Sequence, residues 1–430
     1  MKIITSLYLF LLLLPFTAIA QDPCVGTIAL SRQSQVDSFR VYYPACTWIS
    51  GNLIIRPETG AETNINDLRP LLGINRISGN LIIESSPHLK NLHGLDSIKN
   101  VGGEFRLSHC RSLKNTQGLN SLEFVNFDFS INDNDSLETL QGLERLRTLN
   151  QSLRCNRNPL LVNFDALKEL KIIQSYMEIT ENANLKNLHG LQSIREVSGN
   201  IIIRFNPSLA SVSGLDSLVR AGSVILTFCP SLKNLEGLQM LETIQSWLTL
   251  ERNDDLMSLA GLESLQSIGF GIQLIDNSKL SDILPLSSVN IDSLTILRIQ
   301  RNQLLSVCHL PNLCNYLSRE GDASIFLNAQ GCRSMEEVID NCETVSTSEK
   351  NIDPIIQIYP NPSKYQLWID PKIKKIDQFE YAIMDSSGRL CLLGKNSITE
   401  PIDISTLLSG IYILQVQSAI YSKQFKFIKL

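Results

Sequence analysis

Ten cysteines, five histidines and 43 acidic residues are the groups in this 430-residue chain that could hold a metal, attack a substrate or move a proton. Their spacing sorts them. Cys24 and Cys46 bracket a short N-terminal stretch, and Cys308, Cys314, Cys332 and Cys342 crowd together far downstream. A zinc site from Cys308, His309, Cys314 and Cys332 is one chemistry such a cluster could support. Disulfides are the other, and an exported chain favours them. We expect Cys24–Cys46 and, of three possible pairings at the far end, favour Cys308–Cys332 with Cys314–Cys342. The histidines His88, His93, His109, His189 and His309 show no metal-ligand spacing, so neither a metal nor another cofactor is expected. No Gly-x-Ser-x-Gly, His-Glu-x-x-His or phosphate-loop pattern occurs.

The framework that must position any site is a repeat. Gly-Leu recurs at Gly94, Gly118, Gly142, Gly190, Gly214, Gly237 and Gly261, 24 residues apart with one step of 23. Ala166-Leu167 and Pro285-Leu286 fill two gaps. Ahead of each marker lies an apolar–x–apolar pair such as Leu81/Ile83, Leu153/Cys155, Ile201/Ile203 or Leu248/Leu250, the signature of a short strand with one buried face. Three residues later comes Asn134, Asn158, Asn182, Asn206, Asn253, Asn277 or Asn302, with Cys110 and Cys229 in the same slot. An amide there can answer backbone groups left open at a bend, and stacking would align these amides in a column. Cys110, Cys155 and Cys229 fall on inward positions, where a thiol acts as a small apolar group. The glycine supplies a positive φ or a close backbone approach.

One such unit cannot bury its apolar side alone, so the period means a solenoid. Some ten coils at about 4.8 Å each make a rod on the order of 50 Å long. The expected class is mainly β: a β-solenoid of 24-residue coils followed by a small antiparallel β-sandwich.

Residues 1–20 read as a signal peptide: Lys2, an apolar run over 7–16, and Ala18-Ile19-Ala20 as cleavage signal. Residues 21–49 form an N-terminal cap with an amphipathic helix over 35–43. Coils run over 50–305, and a disulfide-stapled cap follows over 306–342, with a helix at 313–319 and a strand at 323–327. Residues 343–351 are a polar linker, and 352–430 hold short strands separated by turns, Asp385-Ser-Ser-Gly388 among them. Net charge is −5 with lysine and arginine scattered. Nucleic acid is therefore excluded as a partner, because phosphate binding needs a concentrated basic face.

Residues 24–342, through Ser-Gly-Asn before the strand, the asparagine column and Gly-Leu, resemble the receptor L-domain family of leucine-rich, right-handed solenoids. Residues 352–430 look like a type IX secretion sorting domain. That likeness rests on Tyr359-Pro-Asn-Pro-Ser363, Ser409-Gly-Ile-Tyr412 and Lys426-Phe-Ile-Lys429. It implies secretion machinery in a Gram-negative outer membrane as a partner, and a surface or extracellular location.

The outward positions carry whatever function the rod has. Asp133, Glu178, Glu181, Glu251 and Asp276 are outward acids. Only Glu251 and Asp276 fall on neighbouring coils, at non-equivalent positions, which argues against a polysaccharide-cleaving carboxylate pair. An apolar and aromatic patch stands out instead: Ile202 and Phe205, Ile225 and Phe228, then Trp247, with Arg204 and Arg252 at the rim. Such a patch suits a protein or glycan ligand. The expectation is a non-enzymatic recognition or adhesion protein. The alternative is a structural surface array whose rods self-associate; the third is a polysaccharide-active enzyme.

Overall fold

The structure is a computed structural model and describes residues 24–60, 62–348, 356–371, 378–385, 389–397, 400–418 and 421–430. The expected signal segment, the end of the expected linker and Ser386–Gly388 of the expected turn lie outside them. The chain divides into two compact units at Ile339/Asp340.

The first unit is a parallel β-solenoid of about 12 turns at 24-residue spacing. Its main ladder aligns equivalent residues one coil apart: Leu81 with Phe105, Phe129 with Leu153, Met177 with Ile201, and Val224 with Leu248. Alternation puts Leu153, Cys155, Ile201 and Ile203 inside, each at most 1% exposed, while Arg154 and Ile202 face outward between them. Burial pushes the Cys110 and Cys155 thiols up to about 12 and Cys229 up to about 11, so all three behave as core.

Most coils hold two strands where one was expected. Two-residue strands such as Arg76–Ile77, Asn100–Val101 and Phe124–Val125 build a second parallel ladder. Two residues are too few for alternation to show in a sequence. In Glu196–Arg204 and Arg220–Thr227 the two strands of the coil fuse into one.

The glycine corner has a plain cause. At Gly190, φ is +108° and an added Cβ would lie 1.7 Å from the Phe164 carbonyl oxygen of the coil before. Both the conformation and the close approach exclude a side chain. Where the glycine is absent the chain makes a 3₁₀ turn instead, at Asp165–Leu167 and Leu284–Leu286.

The ends differ from expectation in three places. A strand at Ile28–Leu30 pairs with Leu53–Ile55, so the sheet already begins inside the segment expected to be only a cap. The single helix over 35–43 is two short ones, Gln33–Asp37 and Phe39–Tyr42. Helix Met335–Ser348 runs through most of the expected linker. Disulfides Cys24–Cys46 and Cys308–Cys332 close the caps, and Cys314 and Cys342 are also disulfide-bonded. The sulfurs of Cys308, Cys314 and Cys332 are thus unavailable to a metal, which removes the zinc alternative.

The second unit pairs its strands antiparallel, in sheets of three and four strands, with one parallel bridge between Ser363 and Lys429. Leu367, Ile402, Phe379, Ile383, Leu414 and Phe427 form its core, and Cys391 packs partly buried against it.

Candidate ligand-binding groove

The asparagines form a buried column interrupted once, at Cys229. Asn134 N–H donates to Asn158 Oδ1 at 3.2 Å, Asn158 N–H to Asn182 Oδ1 at 3.0 Å, and Asn182 N–H to Asn206 Oδ1 at 2.9 Å. After Cys229 the pattern resumes through Asn253, Asn277 and Asn302. Each Nδ2 donates backwards to a strand carbonyl, as Asn182 does to Cys155 at 2.8 Å and Asn277 to Leu250 at 2.9 Å. Asn328, not anticipated from the sequence, ends the column by accepting from Asn302 N–H at 2.9 Å.

This column dictates the surface beside it. To turn an asparagine inward, the residue before it adopts the left-handed conformation. From Ser85, His109, Asp133, Arg157 and Glu181 to Phe205, Phe228, Arg252, Asp276 and Arg301, φ lies between 51° and 60°. A non-glycine residue there costs about 1–2 kcal/mol, which the asparagine hydrogen bonds offset. Asp133, Glu181, Asp276, Phe205 and Phe228 are therefore corner residues, not strand residues as the sequence suggested. The residue after each asparagine also faces out. Every coil thus presents two walls, one on either side of its buried amide.

In the last coils these walls enclose a groove of about 1130 Å³. Phe205, Phe228, Arg252, Asp276, Arg301 and Leu327 line one side; Pro207, Pro230, Asp254, Ser278 and Gln303 line the other, with Asn328 and Arg333 completing it. The Phe205 and Phe228 rings stack at 4.5 Å, and the Arg252 guanidinium lies over Phe228 at 5.0 Å. Asp276 accepts from Arg301 Nε and Nη2 at 2.6 and 2.8 Å, with Arg252 at 3.7 Å. The hydrogen bonds from Arg301 hold its carboxyl below the usual carboxylate range.

Of the seven residues expected to bind ligand, Phe205, Phe228 and Arg252 line this groove. Four do not. Ile202 and Ile225 pair in mid-strand, and Arg204 pairs with Thr227 on the sheet face. Trp247 opens its strand at the other end, over Gly271 and 5.0 Å from the Phe270 ring. The groove's polar members, Asp254, Ser278 and Gln303, escaped the sequence reading, although each directly follows a column asparagine.

The second unit has its own built feature. Asn361 Oδ1 accepts from Ile428 N–H at 2.9 Å and its Nδ2 donates to the Lys426 carbonyl at 3.1 Å. Ser363 N–H donates to the Ile428 carbonyl at 2.8 Å. The Pro-Asn-Pro-Ser turn thus clasps the terminal strand.

Residues 357–430 match the family model described as "Secretion system C-terminal sorting domain". The chain carries this sorting domain, which marks it as exported, to the cell surface or beyond. No helix among the described residues is long and apolar enough to cross a membrane. No curated protein matches the chain. A solved structure titled "Crystal structure of TLR13-ssRNA13 complex" is 16% identical with a TM-score of 0.22; the match covers 71% of this chain and 58% of that one.

Proposed function

We propose that this is an exported, non-enzymatic recognition protein in which the solenoid is a rigid support for the corner groove. The carrying observation is the change in corner residues at Phe205: from there an aromatic pair, guanidinium groups and prolines enclose one concavity. Exposed apolar surface rimmed by arginine is what a contact site needs. A receptor L-domain-like role in ligand capture follows from this reading. The sorting domain engages a type IX secretion machinery, placing the groove at the surface of a Gram-negative cell. Asp276 is ill-suited to act as a general acid, which must hold a proton near neutral pH, because the Arg301 hydrogen bonds favour its ionised form.

The test is the double variant Phe205→Ser/Phe228→Ser in a surface-capture or adhesion assay. A loss of tenfold or more is expected, with melting shifted by only a few degrees. Undiminished capture by a folded variant overturns the reading. Light scattering should give a monomer, and concentration-dependent assembly would favour the self-associating array.

A further inference from the structure

The groove's chemistry narrows its ligand, on the premise that the groove is the recognition site. Phe228 has Phe205 against one face and the Arg252 guanidinium against the other. Sugar rings dock flat on exposed aromatic faces; Phe228, covered on both, offers the groove its edge, whose hydrogens carry partial positive charge. Pro207, Pro230 and Leu327 add apolar wall. Against these lie three guanidinium groups, of Arg252, Arg301 and Arg333, and two carboxylates, of Asp254 and Asp276, leaving one positive charge in excess.

The arginines are not equivalent. Arg301 spends two of its donors on Asp276. Arg252 is held more loosely: its Nε lies 3.7 Å from Asp276 and 3.9 Å from Glu251, ion-pair contacts longer than the Arg301 hydrogen bonds. Its ring contact fixes the guanidinium plane, and the weaker pairing makes it the readier of the two to take an acceptor from outside. Six corner residues from Phe205 to Leu327 sit on successive coils. At about 4.8 Å per coil the groove runs for roughly 24 Å, enough for about seven extended residues at roughly 3.3 Å each.

We propose that the groove binds an extended acidic segment of a partner protein. An aromatic or aliphatic side chain packs against Phe205, Phe228 and Pro230, and a carboxylate two to four residues along docks on Arg252 and Arg301. Recognition of acidic motifs by arginines beside an apolar anchor is an established mode of peptide binding.

The test uses the full chain and an array of seven-residue peptides, each with one Phe or Leu and with Glu, Gln or Lys at varied positions. Polygalacturonate and a neutral glucan hexamer serve as glycan probes. Glu-containing peptides should bind at least tenfold more tightly than their Gln counterparts. Arg252→Gln should abolish that preference, Arg252→Lys should restore it partly, and Phe228→Ser should weaken every bound peptide. Melting curves check that each variant folds. Binding of polygalacturonate but no peptide, or peptide binding indifferent to Glu, overturns the acidic-peptide proposal while leaving the groove as the recognition site. If some probe binds and none responds to Phe228→Ser or Arg252→Gln, the groove reading falls with it.

Discussion

The early and late coils share one backbone and differ in what they display. His109, Asp133 and Arg157 occupy the same left-handed corner as Phe228, Arg252 and Asp276. In the early coils these side chains satisfy one another. Arg157 donates to Asp133 from Nε and Nη2 at 2.5 and 2.9 Å, with His109 at 4.0 Å. In the late coils two phenylalanines replace such charges, Asp276 is shared by two arginines, and a groove opens. The scaffold is therefore indifferent to its corner side chains, and the departure from self-neutralised charge is where a ligand has something to hold.

The largest expected effect tests whether the halves do share a backbone. Asn158→Ala and Asn277→Ala each leave a backbone N–H of the preceding coil without an acceptor. Each should lose about 2–4 kcal/mol by urea unfolding, since an orphaned buried donor costs about 1–3 kcal/mol and other bonds go with it. Losses differing by more than about 1 kcal/mol would break the equivalence.

A smaller effect separates the surfaces. Phe228→Ser should reduce stability by only about 1 kcal/mol, the scale of an aromatic pair, yet remove ligand binding. Arg157→Ser in the early coils should cost no more and leave binding unchanged. A binding defect in Arg157→Ser would extend the site beyond the groove.

The smallest effect is shared by both halves. Arg157 and Arg301 hold Asp133 and Asp276 below the usual carboxylate range. A carboxyl lowered on folding stabilises the fold above its unfolded value, about pH 4, and that contribution disappears as pH falls through the folded value. Both guanidinium groups are more than a third exposed, so solvent screening limits each pair to about 0.2–1 kcal/mol. Arg157→Gln and Arg301→Gln should each lower stability at neutral pH by about 0.2–1 kcal/mol, and the difference from the parent should vanish as pH falls below about 4 and the carboxyl protonates.

The coil was legible because its constraints act on residue type: only glycine fits where Phe164 approaches Gly190, and an amide answers both the coil before and the coil after. The second ladder was not, because a pair such as Asn100–Val101 shows no alternation. The corner was misread because Phe205 continues the apolar run of the strand, although the asparagine behind it marks a bend. Trp247 was grouped with the groove on residue type alone, while register sets it at the strand's other end. Asn328 sits 26 residues after Asn302, off the repeat, where the cap begins.

The amide column also has a direction. Except at Asn206, which faces Cys229, each asparagine N–H reaches forward to an amide oxygen on the next coil, while Nδ2 reaches back and, except at Asn253, has a second acceptor, in its own coil at Asn182 and on the next amide at Asn277. Removing turns from the front leaves each remaining amide but Asn253 a fallback. Removing them from the back strands a main-chain donor with nothing to answer it. The rod can be shortened from one side only, and Asn328, bonded to Ile299 and Cys332, is the stop that a truncated version would have to reinvent.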